Sequence, residues 1–220
     1  MGALVEVVRG GSLATNCYIL VSGGEAVVVD PGWPGVVRVV LDRLRVAGAE
    51  LRAIVLTHMH FDHTLGVSEL AGATGADVVV GRVEYYAALR LAEVRLEGVE
   101  EPLFPPLGVD PSTLVSEGDS IRVGDVELRV LEAPGHSPGS IVLVGSRLAF
   151  TGDVLFKGSV GRVDLPGSDP HAMEETLSKI AESIPPDHRV YPGHGPSTFM
   201  AAELSHNPFL SRLRRSAGRY

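Results

Sequence analysis

The chain has 220 residues, 45% hydrophobic and 21% charged, with a formal net charge of −8 at pH 7. That is enough apolar material for a sizeable core and predicts one globular domain over residues 1–220. The negative balance argues against nucleic acid as a partner, since phosphate recognition needs clustered Lys and Arg.

No apolar run approaches the roughly 20 residues of a membrane span. The start "MGALVEVVRGGS" lacks the charged, apolar and small-residue segments of a signal peptide, so a cytoplasmic protein with no membrane partner is expected. In chain order, the β-branched runs "NCYILV" and "AVVVD" predict strands, and Cys17 within the first is expected to be a small buried thiol. As the single cysteine it forms no internal disulfide. A helix is predicted over 35–48, then strand "AIVLT", a helix over 64–74, strand "DVVVG" and a helix over 82–91. Residues 97–120 carry four prolines and predict a long ordered loop. After it come strands "VELRVLEA", "SIVLVG" and "RLAFTGD", a helix over 170–183, strand "HRVYPG" and a helix over 198–206. The terminal "RLRRSAGR" is the one basic cluster and is expected to be a solvated tail.

The polar residues gather where these strands end. Asp30, His58, His136, Asp153 and His194 each follow an apolar run, and α/β sheets place their chemistry at such edges, where loops bring distant residues together. His171, His188 and His206 fall elsewhere and are expected at the surface or at helix caps. The densest cluster is "THMHFDH", residues 57–63. Imidazole and carboxylate ligate borderline divalent metals. A turn after a strand can aim His58 and His60 at one ion while Asp62 and His63 face a neighbouring one. The alternative is a set of surface histidines at a helix start with Asp62 as a cap.

"THMHFDH", "APGHSPGS", "FTGD" and "YPGHG", in that order, resemble the metal motifs of the metallo-β-lactamase superfamily, particularly its glyoxalase II-like hydrolases. "TNCYIL" and "VVVDPG" are similar to the family's opening strands. The resemblance implies an α/β fold, an αββα sandwich of two mixed β-sheets flanked by helices, with a dinuclear site at one edge. Carried over residue by residue, it implies His58, His60 and His136 on one divalent ion, Asp62, His63 and His194 on a second, and Asp153 bridging them. Zinc is the metal first implied, with iron or manganese as alternatives. Two cations about 3.5 to 4 Å apart share a water whose pKa falls toward about 7. A metal-bridging hydroxide is therefore the expected nucleophile, with Asp62 and Asp153 as catalytic carboxylates. Ser137 and Ser140 are expected in turn and helix-start roles.

"GDVLFKGSVGRVDLPG" is similar to the family segment in which a basic residue binds the carboxylate of a thiol substrate. Arg162 matches that position and Lys157 lies nearby. The expected partner is thus a small-molecule hydroxyacyl thioester, with Phe104, Tyr85 and Tyr86 expected as core or, in the alternative, as an apolar wall of its pocket. Only 26 residues follow His194, and Pro196 stands where the family has tyrosine. A short form is implied, without the helical C-terminal domain that grips glutathione, and the thiol carrier stays open. The oligomeric state stays open as well, a homodimer being one form. Persulfide dioxygenases of the superfamily use one iron on the equivalents of His58, His136 and Asp153, and a lactonase is a further alternative. The carboxylate at Asp153 argues against a class B β-lactamase. A non-catalytic metal-binding protein is the reading from another class, and an open His/Asp donor set argues against it.

Overall fold

A computed structural model describes residues 3–211. The basic segment 212–219 lies outside them. The chain opens with β1 (Leu4–Gly10), β2 (Thr15–Ser22), β3 (Glu25–Val29), α1 (Val36–Ala47) and β4 (Glu50–Leu56). It continues through α2 (Phe61–Thr64), α3 (Val67–Thr74), β5 (Asp77–Gly81), α4 (Arg82–Leu91) and β6 (Thr113–Val115). The second half holds β7 (Ser120–Val123), β8 (Val126–Glu132), β9 (Ile141–Gly145), β10 (Leu148–Gly152), β11 (Leu155–Phe156) and β12 (Ser159–Val160). It closes with α5 (Pro170–Ser183), β13 (Arg189–Pro192), β14 (Thr198–Phe199) and α6 (Met200–His206).

Two six-stranded mixed sheets form, ordered β1-β2-β3-β4-β5-β6 and β14-β13-β10-β9-β8-β7. Their continuous apolar runs are explained by burial on both faces. In β3, Val27 and Val29 face the opposite sheet while Ala26 and Val28 face the helices. In β9, Ile141 and Leu143 point between the sheets and Val142 and Val144 point outward. The inter-sheet core is closed by Leu20, Val55, Leu128 and Phe150. On the outer face of the first sheet, α1 lays down Val36, Val37, Val40 and Leu44, one helical stripe. On the outer face of the second, α5 lays down Met173, Leu177 and Ile180. The expected αββα sandwich is the architecture found.

Three expectations change. The stretch 97–120 is not loop throughout, because Thr113–Val115 adds to β5 as a parallel edge strand. The helix expected over 64–74 starts only at Val67, after a separate short helix that ends at Thr64 and a break where Gly66 donates its N–H to Pro31 O at 2.8 Å. His188 is buried rather than at the surface, with Nε2 3.0 Å from Gly145 O. His171 is exposed in the first turn of α5, whose cap is Asp169 accepting from the His171 and Ala172 amides. His206 is exposed at the end of α6.

Topology explains why chemistry gathers at one edge. β3 and β4 are parallel, so Asp30 and Thr57 emerge side by side. β8 and β10 are both antiparallel to β9, and β13 is parallel to β10, so β8, β10 and β13 also point one way. The sheets are fastened there by Ile141 N–H donating to Thr57 O at 2.8 Å and Asn16 N–H donating to Gly193 O at 2.8 Å.

Candidate metal centre

The expected donors meet at that edge. Among the described residues, single ligand atoms of His58, His60 and His136 lie within 4.8 Å of one another, as do those of Asp62, His63 and His194. Asp153, just past β10, stands between the groups. Its Oδ2 lies 3.6 Å from His136 Nε2 and 3.3 Å from His194 Nε2, and its Oδ1 lies 3.5 Å from His63 Nε2. Gly193 permits this approach, since a Cβ there would collide with Asp153 Oδ1 and His63 Cε1.

The protein sets the ring tautomers. His136 Nδ1 is 2.9 Å from Arg162 O and His194 Nδ1 is 3.1 Å from Leu13 O. A carbonyl only accepts, so each Nδ1 carries a proton and each ring turns its Nε2 inward. His63 Nδ1 likewise donates to Asp30 Oδ2 at 3.0 Å. Asp30 also accepts from Thr57 N–H at 2.8 Å and from the Thr57 hydroxyl at 2.6 Å. With its proton committed to Asp30, Thr57 Oγ1 is left to accept from His58 Nδ1 at 3.1 Å. Asp30 holds this place at φ 54°, a left-handed conformation that non-glycine residues seldom adopt. Asp30, His58 and His63 also fall within ligand distance of one another, but Asp30 is spent as the acceptor that aims the other two.

Among the described residues, three buried polar atoms find no hydrogen-bond partner: His58 Nε2, His60 Nε2 and Asp153 Oδ1. Leaving such groups unpaired costs about 1 to 3 kcal/mol each. Lone pairs turned inward on a buried His/Asp set are the donor chemistry of a divalent cation, so the residues fit one.

With only protein charges present the two groups differ. Burial, reinforced by the neighbouring imidazoles, pushes His58 well below the ordinary histidine value and His60 to about 3. Burial also lowers His136, against the pull of Asp153. For His63 and His194 burial acts the same way but is overcome. Asp62, Asp153 and Asp30 raise His63 to about 9, and hydrogen bonds to Asp153 and Asp62 raise His194 to about 10. Burial opposes charge on Asp62, yet His63, His194 and the Thr15 hydroxyl hold it well below the usual carboxylate range. The metal-free site thus has three neutral imidazoles on one side and two imidazolium–carboxylate clusters on the other.

His60, Asp62, His136, Asp153 and His194 open into a cavity of about 410 Å3, walled by Leu13, Phe61, Leu96, Leu103, Phe156 and Leu165. Phe104, Tyr85 and Tyr86 do not wall this cavity: Phe104 is core, as expected, with Tyr85 half-buried against it. Phe104 and Tyr85 line a separate cavity of about 320 Å3, Phe104 packing its far side on the His60 ring at 4.8 Å, and Tyr86 is exposed. Arg162 stands at the mouth with its guanidinium paired bidentately to Asp164, at 2.6 and 2.9 Å. Lys157 is exposed on the turn joining β11 and β12 and does not line the cavity. Ser137 and Ser140 are turn residues as expected but start no helix. Both are buried, their hydroxyls 2.6 Å apart, and Ser137 donates to Glu84 Oε2 at 2.8 Å. Asp30 was marked in the sequence by its strand-end position, whereas Glu84 and Asp164 carried no sequence signal of their own.

The chain belongs to the metallo-beta-lactamase superfamily, whose family model matches residues 10–194. It is 31% identical over 204 residues to the probable metallo-hydrolase YqgX of Bacillus subtilis, covering 91% of this chain and 94% of that protein. It is 32% identical over 207 residues to a Methylobacillus flagellatus protein named hydroxyacylglutathione hydrolase, covering 91% of this chain and 72% of that one. Two solved structures share the fold. TTHA1623 in a di-iron-bound form is 38% identical with a TM-score of 0.77, covering 93% of this chain and 100% of that one. The B3 metallo-beta-lactamase BLEG-1 is 30% identical with a TM-score of 0.82, covering 94% and 100%. The protein is therefore a member of a metallo-hydrolase superfamily with His/Asp clusters suited to divalent metals. Among the described residues, no helix is long and apolar enough to cross a membrane.

Proposed function

We propose that the protein is a dinuclear-metal thioesterase of the glyoxalase II-like kind, cleaving a small hydroxyacyl thioester. The observation that carries this reading is the convergence of His and Asp donors on the floor of an apolar cavity with one guanidinium at its mouth. His58, His60 and His136 would hold one divalent ion, Asp62, His63 and His194 the other, and Asp153 would be shared. Zinc suits this donor set, and iron or manganese are the alternatives. Such ions supply Lewis acidity and a nucleophilic water at neutral pH.

The chain's own groups do the rest. Asp62, kept ionised and facing the cavity, orients the nucleophile. Leu13, Leu96, Phe156 and Leu165 bind the acyl and thiol chains and exclude water. Arg162 receives a remote substrate carboxylate in exchange for Asp164. Two protein nucleophiles near the site, Cys17 and Ser137, are withdrawn from the cavity. Cys17 is fully buried, which pushes its thiol far up, and the Ser137 hydroxyl is committed to Glu84. The relative named hydroxyacylglutathione hydrolase supports a thioester substrate.

The test is steady-state turnover by zinc-, iron- and manganese-loaded protein on four substrates: a 2-hydroxyacyl glutathione thioester, an acyl-coenzyme A, glutathione persulfide under oxygen, and a cephalosporin. Thiol release matched by acid formation is the expected result. Oxygen uptake on the persulfide without thioester turnover, or faster opening of the β-lactam than of any thioester, would overturn the reading.

A further inference from the structure

Glu84 is a fully buried carboxylate outside the donor set, in the first turn of α4. Nothing in "GRVEYYAALRL" marks it in the sequence. Its two oxygens divide between two loops. Oε1 accepts the Met59 N–H at 2.8 Å, and Met59 is the residue between His58 and His60. Oε2 accepts the Ser137 hydroxyl and the Gly139 N–H, both at 2.8 Å, and Ser137 follows His136 directly. One carboxylate therefore clamps both loops that carry the first group of imidazoles, and across that clamp His60 Nδ1 and His136 Nε2 stand 3.0 Å apart. Gly139 is what lets the second loop reach α4, because a Cβ there would run into the Glu84 backbone nitrogen. A buried carboxylate is expensive even when hydrogen-bonded, and an apolar side chain would fill the space at lower cost. What an apolar residue cannot do is hold two separate backbone amides and a hydroxyl at once.

We infer that Glu84 is a positioning residue that assembles the His58, His60 and His136 site and sets its cation affinity, without acting on the Asp62, His63 and His194 site. The two groups meet at Asp153, but the second is aimed by Asp30, Leu13 O and Thr15, none of which touches Glu84. The inference rests on reading the cluster as a metal centre. Outer hydrogen bonds of this kind change metal affinity by about 10 to 100-fold.

The experiment is a cycle read as zinc affinity by competition with a chromophoric chelator. Glu84→Gln keeps the shape, but its amide nitrogen cannot accept. It is made in the wild type, in a His194→Ala background that leaves the first site, and in a His58→Ala background that leaves the second. The expected result is one of two zinc ions weakened 10 to 100-fold in the wild type, the same weakening in the His194→Ala background, and less than twofold change in the His58→Ala background. Equal weakening in both backgrounds, or none in either, overturns the inference. Wild-type protein that binds no zinc at all would instead sink the metal-centre reading beneath it. If Glu84→Gln does not fold, Ser137→Ala removes one of the three donors and should give a smaller loss confined to the same site. No loss there, or loss at both sites, counts against the inference equally.

Discussion

Arg162 Nε and Asp164 Oδ1 lie 2.6 Å apart, so the guanidinium at the cavity mouth is already occupied by a carboxylate two residues along its own chain. Both side chains are mostly exposed, at 62% and 68%, and solvent screens the pair. On the thioesterase proposal a substrate carboxylate would displace Asp164 rather than meet a bare cation. Asp164→Asn is expected to lower KM for an acidic 2-hydroxyacyl thioester by about twofold to fivefold. Arg162→Ala is expected to raise it by about tenfold, with kcat little changed, because a remote grip acts equally in ground and transition states. A neutral thioester run alongside should respond to neither substitution. Equal loss on both substrates in Arg162→Ala would show that the side chain's role is structural, since the carbonyl that holds His136 is unchanged in the variant.

Asp153→Ala removes the carboxylate that touches both imidazole groups. Zinc content should fall and kcat should collapse by several orders of magnitude. His171→Ala, on an exposed helix start, should change neither. His188→Ala makes the sharper control. It strips a buried hydrogen bond to Gly145 O and should lower stability by about 1 to 3 kcal/mol while leaving metal content intact. Metal loss in His188→Ala comparable to that in Asp153→Ala would mean the site responds to any destabilisation.

Exhaustive chelation should abolish turnover and lower thermal stability together, because a cation held only by the native chain stabilises it. At a hundredfold excess over Kd one site contributes about 2.7 kcal/mol, which for a chain of this length shifts Tm by roughly 5 to 10 °C. Differential scanning calorimetry with and without chelator measures it. An unchanged melt with full activity would exclude a metal centre.

Protonation of the metal-free site gives a pH signature. His63 at about 9 and His194 at about 10 both exceed the roughly 6.5 of an unfolded histidine. Their ion pairs therefore stabilise the metal-free fold fully below pH about 6.5, and that contribution fades as pH rises through about 9 to 10. His58 and His60 shift the other way, so their contribution is present above about 6.5 and is lost as pH falls, toward about 3 for His60. Stability of the chelated protein should peak near pH 6.5. In the metal-loaded protein the alkaline decline should vanish, since ligation requires the same rings deprotonated. Urea denaturation from pH 5 to 10, in both forms, reads the difference, and a metal-free curve that rises steadily to pH 9 would contradict it.

Much of this was legible before folding because the informative residues repeat a local pattern. β2, β3, β4, β9 and β10 are apolar on both faces, and continuous β-branched runs betray them. β1 escaped notice because it is a half-exposed edge with Glu6 and Arg9 among its apolar positions. β6, β11, β12 and β14 are two or three residues long, too short for any period to show. His58, His60, Asp62 and His63 stand out by spacing alone, whereas His136, Asp153 and His194 are single residues made conspicuous by the strands that precede them.

By itself the sequence determined a mixed α/β pattern, the strand ends that carry chemistry and the residue types able to ligate a divalent ion, because these follow from periodicity and from donor chemistry written in adjacent positions, while the sandwich was implied only by the motifs' resemblance to a known family. Only the tertiary structure decided which nitrogen each imidazole turns inward, since that depends on Asp30, Thr57, Arg162 O and Leu13 O arriving from other parts of the chain. It alone put Glu84 under two loops, buried His188, and closed Asp164 over Arg162. A lone Glu, His or Asp looks the same in sequence whether solvated or buried. What separates the two is the set of hydrogen-bond partners that the fold brings to it from distant segments, and no local pattern records them.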